Sequence, residues 1–180
     1  SIAAVRELAS ASEAHCGSTL VITIDGRSGS GKTQFASELA RELSCEVVSL
    51  EWVYPGWRGL SAGVDAVHQT LETLASNTPA PLSQWDWNAN QPADSVLITP
   101  SPLVIVEGVG AGAAVLRPFV SVAVWLEAPA LIRRKRALER DQGSYDPWWD
   151  VWAAQEDEYI AANQPTSHAD LVVPTAHTTA

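Results

Sequence analysis

Cysteine, basic residues and long apolar stretches are all scarce in this chain of 180 residues. The two cysteines, Cys16 and Cys45, show neither metal-ligand spacing nor a redox pair, so we expect reduced packing residues. Lysine and arginine number 11 against 21 acidic residues, and the net charge of −10 argues against nucleic acid polymers and membranes as partners. No apolar run approaches the ~20 residues that a bilayer span needs, and no basic segment precedes an apolar one as in a signal peptide. We therefore expect a cytoplasmic protein.

The remaining composition is typical of a folded domain. Hydrophobic residues make up 46% of the chain, which excludes disorder as a serious alternative. A length of 180 residues suits one core that is stable without disulfides. Since we find no repeat, no linker and no second domain in the sequence, we expect a single domain over residues 1–180.

Short apolar runs alternate with helical periodicities along the chain. The runs are typical of strands buried on both faces and lie at residues 19–25, 46–50, 103–107, 120–126 and 170–173. Helical spacing occurs near the N-terminus and at residues 32–43, 61–76, 129–140 and 146–162, the last with Asp146 as N-cap and Pro147 first. Residues 77–102 predict at most a short hairpin. The alternation predicts a three-layer α/β/α fold around a five-stranded parallel sheet, as in P-loop NTPases of the nucleotide kinase type.

The most specific motif is a glycine-rich stretch at residues 26–33, which reads GRSGSGKT and matches G-x-x-x-x-G-K-[ST] in full. It lies between a predicted strand and a predicted helix, as a phosphate-binding loop requires. Glycines let several backbone N–H groups converge on a polyphosphate, and the helix N-terminus adds to the attraction. Lys32 would contact the β- and γ-phosphates, and the Thr33 hydroxyl would ligate Mg²⁺. The motif predicts ATP and Mg²⁺ as cofactors, bound by Gly26, Ser28, Gly29, Ser30, Gly31, Lys32 and Thr33.

Acidic residues end three of the predicted strands, and the carboxyl ends of parallel strands are where such sheets bind ligands. Asp25 directly precedes the glycine-rich loop and could orient it. Glu107 is placed to reach Mg²⁺ directly or through water. Glu51 could approach an acceptor hydroxyl as general base. The alternative for each is a structural role, as a solvated cap or as the partner of a lysine.

A basic cluster stands out because basic residues are few. Arg133, Arg136 and Arg140 are spaced three and four apart and share one face of a predicted helix. Lid arginines in phosphoryl transfer neutralise charge on the transferred group and exclude water. We therefore predict a lid at about residues 133–146, with Arg136 and Arg140 in catalytic roles. A solvated basic face is the alternative.

Tryptophan is abundant, with eight residues. Trp125 lies in a predicted strand and is expected in the core, while Trp148 and Trp152 are one helical turn apart and are expected to pack the last helix. Four more lie in segments that should surround a pocket: Trp52, Trp57, Trp85 and Trp87. Flat aromatic walls suit a base, a sugar or another ring. Loops that simply pack on the body are the alternative.

With these residues assembled, the chain resembles the uridine kinase-like branch of the P-loop kinases over about residues 19–173. The loop GRSGSGKT is the strongest part of the resemblance. The sequence SLEWVY at 49–54 occupies the place of a family strand that ends in Ser-x-Asp before an aromatic residue and Tyr. VIVEG at 104–108 is similar to the family's acid-bearing strand, and RRKRALERD at 133–141 looks like its lid.

The resemblance implies phosphate and metal roles for Lys32 and Thr33, a metal role for Glu107 and the catalytic acid's place for Glu51. The family's aspartate is a glutamate here, one methylene longer. The histidine and arginine residues that recognise a pyrimidine nucleoside have no clear counterpart in QWDW at 84–87. Nucleotide and metal binding are therefore implied, whereas uridine as acceptor is not.

We predict an ATP- and Mg²⁺-dependent kinase that transfers the γ-phosphoryl group to a nucleoside, a nucleotide or another small hydroxyl metabolite. The acceptor would lie among Glu51, Tyr54, Trp57, Trp85 and Trp87, and a homodimer is left open. The alternatives are a nucleotide-binding regulatory ATPase and a degenerate kinase that binds ATP without transfer. The replacement at Glu51 is the main argument for the degenerate kinase.

Overall fold

The computed structural model describes residues 1–141 and 143–175. Helices are α1 (Ile2–Ala11), α2 (Lys32–Leu43), α3 (Leu60–Ala75), α4 (Ala130–Arg140) and α5 (Trp149–Asn163). Strands are β1 (Leu20–Asp25), β2 (Glu46–Ser49), β3 (Ala80–Asp86), β4 (Gln91–Ile98), β5 (Leu103–Glu107), β6 (Val122–Glu127) and β7 (Leu171–Pro174). Short 3₁₀ turns lie at Leu50–Trp52, Arg117–Phe119, Asp146–Trp148 and Pro165–His168. None of the described helices is long and apolar enough to cross a membrane.

Five strands form a parallel sheet in the order β2-β5-β1-β6-β7, which confirms the predicted sheet. The strand that leads into the glycine-rich loop is central, and β5 lies between it and β2. Ile24 of β1 is in register with Glu107 of β5, and Ser49 of β2 is in register with the same Glu107. The sheet therefore brings the carboxyl ends of β1, β5 and β2 to one edge, where ligands bind in such folds.

Apolar side chains of the sheet alternate between two cores. Ile22 and Ile105 pack with α1 and α2, where Leu39 is fully buried. Val21 and Val106 face the opposite core, which is built with α3 and α5. This alternation follows from the two-residue period of a strand, and it explains why both faces need helices. The two cores fix the sheet edge on which the glycine-rich loop sits.

The segment at residues 77–102 forms a longer hairpin than the sequence predicted. Strands β3 and β4 pair antiparallel from Ala80–Ile98 to Asp86–Gln91, with a register shift between Ser83 and Trp85. Leu82 and Ile98 are buried on the body of the protein, whereas most of β4 is exposed. One buried face on a polar, proline-containing strand gives a weak periodic signal, which is why the composition concealed the length of the hairpin.

The predicted start of the last helix is wrong by three residues. Residues Asp146–Trp148 form a 3₁₀ turn with Pro147 in it, and α5 begins at Trp149, so Asp146 is not its N-cap. The missing N–H of proline costs nothing in such a turn, which therefore absorbs the residues that resemble a helix start. Trp148 consequently lies outside α5 and is 37% exposed, whereas Trp152 is buried.

Two smaller predictions are confirmed. Trp125 is buried in β6, and Cys16 and Cys45 are both free thiols. Helix α4 begins at Ala130, and Pro129 is its N-cap.

Candidate active site

The glycine-rich loop joins the central strand to α2 in a conformation that depends on two glycines. Gly29 and Gly31 have φ angles of +76° and +93°, in the left-handed region that other residues avoid. A Cβ atom on Gly29 would lie 2.1 Å from the carbonyl oxygen of Arg133, so a side chain there would displace helix α4. Gly31 is the N-cap of α2, and the free N–H groups of this helix start face the loop.

Lys32 is almost fully buried at the start of α2, with 8% of its surface exposed. Its Nζ atom donates to the carbonyl oxygen of Arg27 at 3.1 Å, so the loop wraps around the amine. Burial lowers the pKa of Lys32, and the negative charge of Glu107 opposes this shift. The Ser30 hydroxyl in the same loop is buried without a partner among the described residues. Lys32 lines the cavity and is placed to meet an anion in the loop, whereas the fully buried Ser30 is not among the residues that line the cavity.

Glu107 connects three elements of the site. One carboxylate oxygen accepts a 2.5 Å hydrogen bond from Ser49 Oγ, and the other accepts from Thr33 Oγ1 at 3.4 Å. The side chain is 2% exposed, and burial raises the pKa of Glu107 while the hydrogen bond from Ser49 opposes the shift. The structure thus brings together Thr33 and Glu107, the two residues that the sequence predicted as metal ligands.

Asp25 is a buried carboxylate that holds the base of the site. It accepts hydrogen bonds from the N–H groups of Gly26, Gly110 and Gly112 at 2.6, 3.1 and 3.0 Å. The Tyr159 hydroxyl donates to it at 2.5 Å. Burial raises the pKa of Asp25, and the Tyr159 hydrogen bond is the largest opposing effect. Asp25 therefore joins the glycine-rich loop to the turn after β5 and to α5.

A cavity of about 540 Å³ extends from the glycine-rich loop to the β3–β4 hairpin. Its phosphate end is lined by Ser28, Gly29, Lys32 and Thr33, and its middle by Glu51 and Glu107. Its far end is lined by five of the predicted aromatic residues: Trp52, Tyr54, Trp57, Trp85 and Trp87. Two of the tryptophans at this end pack on each other, since the ring centroids of Trp57 and Trp87 are 4.9 Å apart. The Trp87 indole N–H also donates to the backbone oxygen of Glu51 at 2.9 Å.

The structure separates the three arginines of the predicted lid face. Arg140 lines the cavity, and its Nη2 atom lies 3.3 Å from a Glu51 oxygen. Arg136 instead donates to the backbone oxygen of Thr175 at 2.9 Å and is not among the cavity-lining residues. Arg133 is buried and donates to the backbone oxygens of Ala128 and Ser28. Residue 142, in the middle of the predicted lid, lies outside the described residues.

Four residues around the site were not identified from the sequence. Tyr145 and Trp152 line the cavity, and the Tyr145 ring stacks on Trp57 with centroids 4.8 Å apart. Glu156 and Tyr159 contact the glycine-rich loop and Asp25 from α5. All four lie more than 100 residues from the loop in sequence, so only the fold brings them to it. For Glu156 and Tyr159 the sequence offered no stronger signal than their place in a predicted helix.

Comparison of the whole chain with known proteins shows similarity to kinases. No protein-family model matches the chain. A uridine kinase of Staphylococcus carnosus is 24% identical over an alignment of 184 positions, which includes 87% of each chain. A cytidylate kinase of Pyrobaculum islandicum is 31% identical over 131 residues, covering 71% of this chain and 64% of the relative.

Solved structures agree in fold. A Bacillus stearothermophilus structure described as a possible uridine kinase matches with a TM-score of 0.62 at 22% identity, over 94% of this chain and 99% of that one. The shikimate kinase of Acinetobacter baumannii matches with a TM-score of 0.51 at 16% identity, over 89% and 86%.

The fold and the glycine-rich loop define a P-loop kinase, a small-molecule phosphotransferase. Within that class, the chain is similar to uridine and cytidylate kinases, in agreement with the resemblance at residues 19–173. The acceptor of the phosphoryl group is not established by these similarities.

We expect Asp25→Asn to destabilise the protein by about 1–3 kcal/mol. The asparagine NH₂ group would replace the oxygen that accepts from the Gly112 N–H and would leave this buried N–H without an acceptor. Chemical unfolding measures this change. The matched control is Asp94→Asn on the exposed strand β4, where we expect a change within about 0.5 kcal/mol. Equal stability of the two variants would contradict a central structural role for Asp25.

Proposed function

We propose that the protein transfers the γ-phosphoryl group of ATP, with Mg²⁺, to a hydroxyl group of an unphosphorylated small molecule. The observation that carries the proposal is one continuous cavity. At one end lie the glycine-rich loop and Lys32, and at the other lie tryptophan walls with Glu51 between the two ends. A regulatory ATPase needs only the first half of this cavity, whereas a kinase needs both.

The residues at the phosphate end fit a nucleotide with its metal. A buried amine and the N-terminus of α2 both converge there. Thr33 and Glu107 would hold Mg²⁺, which would offset the negative charge of the phosphates. No group of three or more metal-ligating side chains exists in residues 1–141 and 143–175. That suits Mg²⁺, which takes one or two protein ligands and completes its shell with phosphates and water.

Glu51 is the candidate general base. It follows β2 in a 3₁₀ turn, and its carboxylate is half exposed towards the cavity. In the proposed reaction, Glu51 would accept the proton of the acceptor hydroxyl. The hydroxyl oxygen would bond to the γ-phosphorus of ATP as ADP departs. Arg140 pairs with Glu51 in this structure and would move to the transferred group, releasing the carboxylate. Arg136 would take part only if it left Thr175.

The charge of the cavity favours an acceptor without a phosphate group. Four carboxylates line it, from Glu51, Asp86, Glu107 and Asp141, against two basic side chains, Lys32 and Arg140. Lys32 serves the nucleotide, and Arg140 is already paired with two carboxylates. A phosphate monoester would add ~1.5–2 negative charges to this set. The names of the two relatives point to a nucleoside and to a nucleotide as acceptors, and this charge supports the former class.

Removal of the Lys32 amine should weaken ATP binding. A charge-assisted contact is worth about 1.5–3 kcal/mol, so we expect Lys32→Ala to raise the dissociation constant of an ATP analogue by roughly 10- to 150-fold. Isothermal titration calorimetry with Mg²⁺ measures it. The control is Lys135→Ala, which removes an exposed lysine of α4. Unchanged affinity in folded Lys32→Ala protein would refute nucleotide binding at the loop.

A matched panel of acceptors tests the charge argument. With a non-hydrolysable ATP analogue and Mg²⁺ present, we expect uridine or cytidine to bind at least about tenfold more tightly than its 5′-monophosphate, because like charges repel in the cavity. Asp86→Asn keeps a side-chain oxygen that accepts from the N–H groups of Asn88 and Ala89. It should reduce the ratio of nucleoside affinity to monophosphate affinity by about two- to fivefold. Asp94→Asn is the control from the same hairpin. Tighter binding of the monophosphates would place this chain with nucleotide-accepting kinases.

Turnover distinguishes a kinase from a protein that only binds ATP. We expect Glu51→Gln to lower kcat by ~10²–10⁴-fold with little change in ATP affinity, since a glutamine cannot accept the proton. The readout is ADP release driven by the acceptor that the panel identifies. Glu46→Gln, at the exposed start of β2, is the matched control. Full turnover in Glu51→Gln would exclude Glu51 as base, and no turnover in the wild type would favour the binding-only alternative.

A further inference from the structure

Ser28 of the glycine-rich loop is held by three separate parts of the chain. Its N–H donates to Glu156 Oε1 of α5 at 2.7 Å. Its backbone oxygen accepts from Arg133 Nη1 of α4 at 3.3 Å. Its hydroxyl accepts from the Tyr145 hydroxyl, which lies between these two helices, at 3.0 Å. All three partners are buried, so these contacts exchange little with water.

Tyr145 has a second contact, at the acceptor end of the cavity. Its ring stacks on Trp57 with centroids 4.8 Å apart and an interplanar angle of 19°. Trp57 is fixed in turn by Trp87 and by Gln155, which donates to the Trp57 backbone oxygen at 2.7 Å. Burial raises the pKa of Tyr145, which keeps its phenol neutral and able to donate. One side chain therefore touches both the acceptor wall and the phosphate loop.

We propose that Tyr145 is a positioning residue that couples the acceptor wall to the glycine-rich loop, with its ring set by Trp57 and its hydroxyl setting Ser28. The proposal rests on the proposed binding of ATP at this loop. It assigns Tyr145 no contact with the reacting atoms. Its effect reaches the nucleotide only through Ser28.

The geometry of the loop explains why the position of Ser28 matters. The Ser28 N–H is engaged by Glu156, so phosphate contacts would begin at the next residue, Gly29. Gly29 is tightly confined, because its α-carbon faces the Arg133 carbonyl so closely that a Cβ atom would clash at 2.1 Å. A shift of Ser28 would therefore turn the Gly29 N–H away from a phosphate. Holding Ser28 before the nucleotide arrives saves the ordering cost at binding.

Coupling of this kind is reciprocal. If the wall formed by Trp57 favours the loop conformation that binds ATP, then occupancy of either end of the cavity favours occupancy of the other by the same factor. A change confined to Trp57 should then alter nucleotide affinity, although no hydrogen bond joins Trp57 to residues 26–33 in the part of the chain that the structure describes.

A double-mutant cycle tests the hydroxyl contact. Tyr145→Phe keeps the stack on Trp57 and removes the hydrogen bond, and Ser28→Ala removes the same bond from the other side. We expect each single variant to bind a non-hydrolysable ATP analogue with Mg²⁺ about two- to tenfold more weakly than the wild type. The double variant should bind the analogue no more weakly than either single variant. Calorimetry gives the constants, and circular dichroism gives Tm for each variant. Independent, multiplicative effects, or wild-type affinity in Tyr145→Phe, would overturn the proposal.

A second cycle tests the link to the wall. We expect Trp57→Leu to weaken binding of the analogue in the wild-type background and to have little further effect in Tyr145→Phe. Equal effects in both backgrounds would show that Trp57 acts without Tyr145 and would overturn the coupling. A wild-type protein that binds no ATP would instead refute the proposed function. Wild-type binding with a Lys32 dependence but without coupling would refute only the role of Tyr145.

Discussion

The site depends on a carboxylate buried at the end of the central strand. Asp25 has 2% of its surface exposed and collects N–H groups from the start of the glycine-rich loop and from the turn after β5, together with the Tyr159 hydroxyl. An ion is costly to bury unless its acceptor capacity is filled, so these donors must stay in place. That requirement ties together three segments that are distant in sequence. The loop can then present its N–H groups without a ligand to organise it.

Negative charge is the second constraint on the site. Lys32 lies among Glu107, Glu156, Asp25 and Glu51, whose charges oppose the lowering of its pKa by burial. Nearby carboxylates stabilise the charged form of the amine against the cost of its burial. Carboxylates also outnumber basic side chains among the residues that line the cavity, with Glu51, Asp86, Glu107 and Asp141 against Lys32 and Arg140. The proposed metal and the proposed uncharged acceptor both rest on this excess of negative charge.

Local sequence predicted the elements well and their neighbours poorly. Helix α2 begins and ends where its spacing predicted, because its apolar face and its glycine N-cap are local signals. The hairpin was underestimated, since only one face of it is buried and that burial comes from α3. Among the arginines, the spacing predicted one shared helix face, yet the structure gives Arg133, Arg136 and Arg140 different partners. Periodicity gives the direction of a side chain on its helix, not its partner.

The sequence by itself determined the phosphate loop and the presence of acids at strand ends, because each follows from residues close together in the chain. It also predicted the parallel sheet, from the alternation of strands and helices along the chain. Only the tertiary structure decided that β5 lies between β1 and β2, which brings Glu107 to both Thr33 and Ser49. It also decided that Arg140 rather than Arg136 faces Glu51, and that Tyr145 bridges Ser28 and Trp57. These contacts join residues tens to more than a hundred positions apart. Their formation is governed by packing of whole elements, which no local pattern records.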